Sequence, residues 1–219
     1  MVFPVLATSQ HWNRGTGMNS SMERYIPLSG VAFAVSLVVG VSLGGDTPDL
    51  DASPTEVVDF FTDNGTILRV SSLVLAVAMF ALLLFVGCLA SAVRDRGSHS
   101  ALASALSGGG VIAAAGIGVD AGLRFILAES AGEVSPEALQ AVHALYSGYF
   151  YAIHVGFAIF ILSASLVALS AKSSPVWLAV VGVLASLLLI VPVVAVTLIG
   201  LILAGLWIIA TSVLLYRQP

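Results

Sequence analysis

Apolar residues run almost without interruption through 26–43, 67–93, 101–127, 149–170 and 176–216, and short stretches carrying charge, Gly, Ser or Pro separate the runs. A bilayer core about 30 Å thick takes roughly 20 helical residues at 1.5 Å each, so each of the first four runs predicts one crossing. The last run, from Val176 to Tyr216, holds no group that is charged at neutral pH and is about twice the length one straight crossing needs. It must turn back on itself. Pro192, with a fixed φ and no backbone N–H, is the strong breaker near its middle, which predicts a tight turn around Val191–Val194 and two helices, 176–191 and 195–216. The fold class predicted is all-α, a polytopic membrane bundle of about six transmembrane helices within residues 25–217.

Composition removes the soluble alternative. Of 219 residues 58% are hydrophobic and 9% charged, against about 25% charged in ordinary soluble domains. No basic tract points to nucleic acid, so none is expected as a partner. A single cysteine, Cys88, sits in an apolar run and supports neither a disulfide framework nor a cysteine-based metal site within one chain.

The net charge of −4 matters less than where the charges fall. With the N-terminus inside, Arg14, Arg24, Arg94, Arg96, Lys172 and Arg217 are all cytoplasmic, and only Arg69 and Arg124 of the eight basic residues are not. The outer loops collect Asp46, Asp49, Asp51, Glu56, Asp59 and Asp63, then Glu129, Glu133 and Glu137. The expected location is the plasma membrane, multi-pass, with both termini cytoplasmic. Residues 1–24 read as a disordered cytoplasmic tail. The first apolar block also fits a signal sequence, because Arg24 precedes it and Ser42, Gly44 and Gly45 follow.

Both long outer loops carry a helix start. Ser53-Pro54-Thr55-Glu56 has the spacing of a capping box, with Pro at the first helical position. Val57, Val58, Phe60 and Phe61 follow at helical spacing, and Asn64-Gly65 stops the segment. Ser135-Pro136-Glu137 opens a similar segment whose Leu139, Val142 and Leu145 share a face. These predict short amphipathic helices lying in the outer interface, and they allow the first two hairpins to be parallel repeats.

Candidate chemistry is sparse. Asp120 and Arg124, four residues apart on the third span, share a helix face near its outer end. Ionisable groups at that depth are costly and usually face the bundle interior. The pair reads either as part of a polar site in an outward-facing cavity, such as an ion or proton relay, or as a structural ion pair at the interface. Arg69 either joins that cluster or meets lipid phosphates. His143, Ser147, Tyr151 and His154 form a polar stripe entering the fourth span, which fits a vestibule lining or an interfacial aromatic belt with one interhelical histidine. The candidate polar cluster is therefore Asp120, Arg124, Arg69, His154 and Tyr151. Gly110, Gly118 and Gly122 recur every fourth residue with Ala114 and predict a close helix-packing face. No phosphate loop, dinucleotide fingerprint, Gly-x-Ser-x-Gly elbow or His-Glu-x-x-His is present, so no catalytic residue, metal site or cofactor is expected.

The stretch Ser53-Pro54-Thr55-Glu56-Val57-Val58 through Asn64, then Ile67-Leu68-Arg69 and the span ending Val93-Arg94, resembles the opening hairpin of small uncharacterised actinobacterial six-span membrane proteins. Lys172-Ser173-Ser174-Pro175-Val176-Trp177-Leu178, entering a final apolar hairpin, is similar to them too. The resemblance implies topology and a plasma-membrane location, with no activity to carry over. The leading expectation is a non-catalytic accessory or scaffolding subunit that contacts a membrane-protein partner or a second copy of itself. The rival readings are a small-molecule or ion transporter with an outward-facing polar cavity, and a membrane-embedded enzyme.

Overall fold

The computed structural model describes residues 24–95, 100–171, 175–191 and 193–217. Residues 1–23 of the predicted N-terminal tail, the loop residues Arg96 and Lys172, and Pro192 lie outside the described residues. All regular structure among the described residues is helical. A 3-10 turn over Ile26–Leu28 leads into α1 (Ser29–Gly44), followed by α2 (Pro54–Asp63), α3 (Gly65–Asp95), α4 (Ser100–Ser130), α5 (Pro136–Gly148), α6 (Tyr151–Ala171), α7 (Val176–Ile190) and α8 (Val194–Tyr216).

Among the described residues five helical stretches are long and apolar enough to cross a membrane: Ile26–Gly44, Gly65–Asp95, Ala101–Ser130, Pro136–Ala171 and Val194–Tyr216. The protein is thus a multi-pass membrane protein. The remaining apolar helix, α7, has 15 residues, short of the roughly 20 that a full crossing takes. The 36-residue stretch Pro136–Ala171 divides at Tyr149–Phe150. Just before the division the Ser147 hydroxyl donates to the His143 carbonyl, at 3.0 Å, and Gly148 follows. Serine back-bonding and a Ser-Gly pair are recognised causes of helix bending.

The long helices pack in a ring, in the order α1, α3, α4, α6, α7, α8, with α8 returning to α1. Tyr25 stacks on Tyr216, with ring centroids 6.0 Å apart, so the first and last described segments meet at one end of the ring, called here the terminal end. The centre is filled by side chains: Phe33 against Phe157, Phe85 against Phe160, and Phe160 against Trp207, at centroid separations of 5.8, 6.2 and 6.1 Å. Lipid tails are as apolar as these side chains, so burial from lipid gives little drive and close packing must hold the ring. At the α4–α6 seam the approach is backbone to backbone. A Cβ added at Gly109 would lie 2.6 Å from the Phe160 nitrogen, and one at Gly156 would lie 2.6 Å from the Ala113 nitrogen. The two backbones touch because neither glycine has a side chain.

At the opposite end α2 and α5 form a cap. The Ser53 hydroxyl accepts from the Glu56 N–H and the Ser135 hydroxyl from the Ala138 N–H, each at 3.3 Å, and each serine is followed by Pro at the first helical position. The buried side chains Val57 and Phe61 of α2 join Leu139 and Tyr146 of α5, Leu68 of α3 and Leu127 of α4 in a second core, separate from that of the ring. The side-chain amide of Gln140 also donates to the Ala52 carbonyl, at 2.8 Å, tying α5 to the segment before α2. The cap is therefore a packed unit. Where it faces water, each buried Val or Phe contributes about 1.5–3 kcal/mol.

Candidate functional site

Beneath the cap, α4 carries the two buried charged side chains among the described residues, Asp120 and Arg124, with only 4% and 5% of their surface exposed. The helical repeat sets them one turn apart on a single face. The Arg124 Nε–H donates to Asp120 Oδ1 at 3.2 Å. The Arg124 Nη1 donates to the Ser71 hydroxyl of α3 at 3.1 Å, and that hydroxyl donates onward to the Gly40 carbonyl of α1 at 2.7 Å. From α5, the Tyr146 hydroxyl faces the Asp120 carboxylate, and the Tyr146 ring lies under the guanidinium, 5.7 Å from centroid to Cζ. Tyr149, just beyond α5, donates its hydroxyl to the Gly116 carbonyl of α4 at 2.6 Å.

One position makes this possible without carrying any functional group. A Cβ at Gly44, the last residue of α1, would overlap the Arg124 guanidinium. The absence of a side chain there lets α1 close over the cation. Four helices thus converge on one ion pair: α4 supplies both charges, α3 a hydroxyl, α1 a carbonyl and a gap, and α5 an aromatic face and a hydroxyl.

The other residues of the candidate cluster stand elsewhere. Arg69 pairs with Glu129, Nη1 to Oε2 at 2.9 Å, with side chains 42% and 58% exposed. An exposed pair of this kind contributes about 0–1 kcal/mol. Tyr151 donates to the Ile190 carbonyl at the end of α7, at 3.3 Å. His154 is half-buried on α6, and among the described residues no hydrogen bond or ion pair joins it to Asp120 or Arg124. His143 sits inside the cap, its ring 5.7 Å from that of Phe61 and 6.3 Å from that of Tyr146. Its Nε2 is buried with no hydrogen-bond partner.

The predicted glycine face divides in the same way. Gly110 meets Val86, and a Cβ at Gly118 would lie 2.7 Å from the Met79 sulfur, both on α3. Gly122 is exposed and a Cβ there would meet nothing within 4 Å. Gly109, Gly116 and Gly156, which the every-fourth pattern passes over, make the contacts between α4 and α6.

Among the described residues no group of three or more His, Cys, Asp or Glu side chains is placed to hold a metal ion. The free thiol Cys88 is half-buried on α3. Chemically, the Asp120–Arg124 arrangement is a neutral pair with its hydrogen-bonding groups directed at neighbouring helices. Such a pair suits it to fixing helix positions, since removing one partner leaves the other charge buried and uncompensated. No family model, curated protein or solved structure matches the chain.

Proposed function

We propose that this protein is a non-catalytic accessory or scaffolding subunit of the plasma membrane, spanning it six times with both termini in the cytoplasm and presenting the α2–α5 cap outside to a partner. Support for the sixth crossing comes from α7, which runs between α6 and α8 in the ring and is uncharged along its length. Support for the orientation comes from the described basic residues, of which Arg24, Arg94 and Arg217 lie toward the terminal end.

The observation that carries the functional reading is the commitment of Asp120 and Arg124 to Ser71, Tyr146 and one another. A relay or transport site needs its charged groups in reach of solvent and of a moving ligand. Here they are sealed under the cap, where they hold it on the ring. What the cap offers to the outside is charge: Glu56, Asp59 and Asp63 are exposed at i, i+3 and i+7 along α2, Glu137 is exposed in the first turn of α5, and Glu133 is exposed just before it. A partner that matches this surface is a membrane protein with a basic outer segment.

The test is extraction from native membranes in mild detergent, with mass determination of the intact assembly and identification of its chains. The expected result is a stoichiometric partner that dissociates as ionic strength rises, because exposed charge pairs are screened beyond a Debye length of about 8 Å at 0.15 M salt. Recovery of the chain alone, together with ion or solute flux through proteoliposomes of the purified protein that Asp120→Asn abolishes, overturns the reading in favour of a transporter.

A further inference from the structure

The core of the cap encloses a histidine with a buried, unpartnered nitrogen. His143 is only 1% exposed, and its Nε2 meets no donor or acceptor. It lies on the buried face of α5, one turn from Leu139 and one from Tyr146, and its ring stands at 63° to that of Phe61 on α2. The imidazole therefore sits in the joint between the two cap helices, among apolar and aromatic groups.

Each element packed there was free to supply a compensating charge, and none does. On α5 the titratable neighbour is Tyr146. Phe61 of α2 meets the ring, while Glu56, Asp59 and Asp63 of the same helix are exposed. Arg69 of α3 is turned out to Glu129 of α4, and Asp120 and Arg124 of α4 are paired with each other. Among the described residues no carboxylate lies within ion-pairing distance of the imidazole. Burial without a partner disfavours the charged form, and it holds the pKa of this cap residue below its ordinary value of about 6.5.

We infer that His143 is a proton-binding site that governs docking of the cap: on taking up a proton from solvent its imidazole becomes a cation without a counter-charge, and α2 comes away from α5. The element that yields is α2, because it rests chiefly on α5 and is buried through Val57 and Phe61 alone. Helix α5 has a second hold, since its Tyr146 ring lies under the Arg124 guanidinium of α4. The sign follows from linkage. A neutral imidazole is favoured in the docked cap and the ordinary value returns when the cap opens, so docking is complete above about pH 6.5 and weakens as pH falls below it, by at most about tenfold per unit. This switch belongs to the cap itself and does not depend on the partner proposed above.

The test is hydrogen exchange of the full chain in nanodiscs between pH 7.5 and pH 5, corrected for the intrinsic pH dependence of amide exchange. Protection of residues 57–63 falls roughly five- to thirtyfold over that range, as release of one histidine from the docked state gives, while protection of α6 holds. His143→Leu keeps every surface carboxylate and removes the proton site, so its α2 protection stays within about twofold across the same range. His143→Gln, neutral and polar, gives the same pH independence and serves if the leucine variant does not fold. Constant protection of α2 in the parent, a pH-dependent loss that persists in the His143 variant, or a loss shared equally by α6 overturns the inference.

Discussion

The two halves of α4 hold their neighbours by opposite means. In the half nearer the terminal end, Gly109 and Gly116 contribute nothing but backbone, and α6 comes close enough to touch it. In the half nearer the cap, Asp120 and Arg124 reach out to α1, α3 and α5 through hydrogen bonds and an aromatic face. The first kind of seam is held by van der Waals contact and fails when volume is added. The second is held by compensated charge and fails when one partner is removed. A membrane helix without a hydrophobic drive toward its neighbours uses both, and their sensitivities to substitution separate them.

The largest effect is expected at the glycine seam. Gly109→Leu forces a side chain into the Phe160 nitrogen and the Gly156 carbonyl. Since backbone cannot yield as a flexible side chain does, the cost exceeds the ~1–3 kcal/mol typical of overpacking. Loss of monodisperse protein in size-exclusion chromatography of detergent extracts checks it. Ser71→Ala acts on the charged half and costs less. It leaves a buried Arg124 N–H without its acceptor, at about 1–3 kcal/mol, and a lower thermal midpoint with normal yield is the expected readout. The smallest effect has the opposite sign. Gly122→Ala adds a methyl group where nothing stands and gains up to about 1 kcal/mol of helix propensity. An unchanged or slightly raised midpoint separates Gly122 from the glycines of the α6 contact.

Apolar runs locate the helices because the bilayer imposes a length on them, and Ser53-Pro54 and Ser135-Pro136 locate the cap helices because each cap satisfies an N–H beside its own serine. Rotation and pairing are another matter. The period of Val57 and Phe61 tells that one face of α2 is buried, yet not that α5 covers it. Arg69, near the start of α3, and Arg124, near the end of α4, both stand toward the cap, and only the tertiary arrangement decides that one meets Glu129 at the surface and the other Asp120 inside. Gly44 carries no signal beyond a span end, although it is the gap that lets α1 close over Arg124. The every-fourth glycine pattern picked the face toward α3, because Gly110 and Gly118 repeat, while Gly109 and Gly116 stand seven apart and escape that spacing.

Asp120 and Arg124 join α4 to its neighbours through the Ser71 hydroxyl and the Tyr146 ring, and in the proposed reading that tie is their role. A double-mutant cycle measured by thermal unfolding in nanodiscs tests it most directly. Asp120→Asn and Arg124→Met alone each leave one buried group uncompensated, at about 3–5 kcal/mol, which lowers the midpoint on the order of 10 °C for a chain of this size. The double substitution removes both charges and is expected to recover at least half of that loss. Single variants as stable as the parent, or losses that simply add, contradict the account.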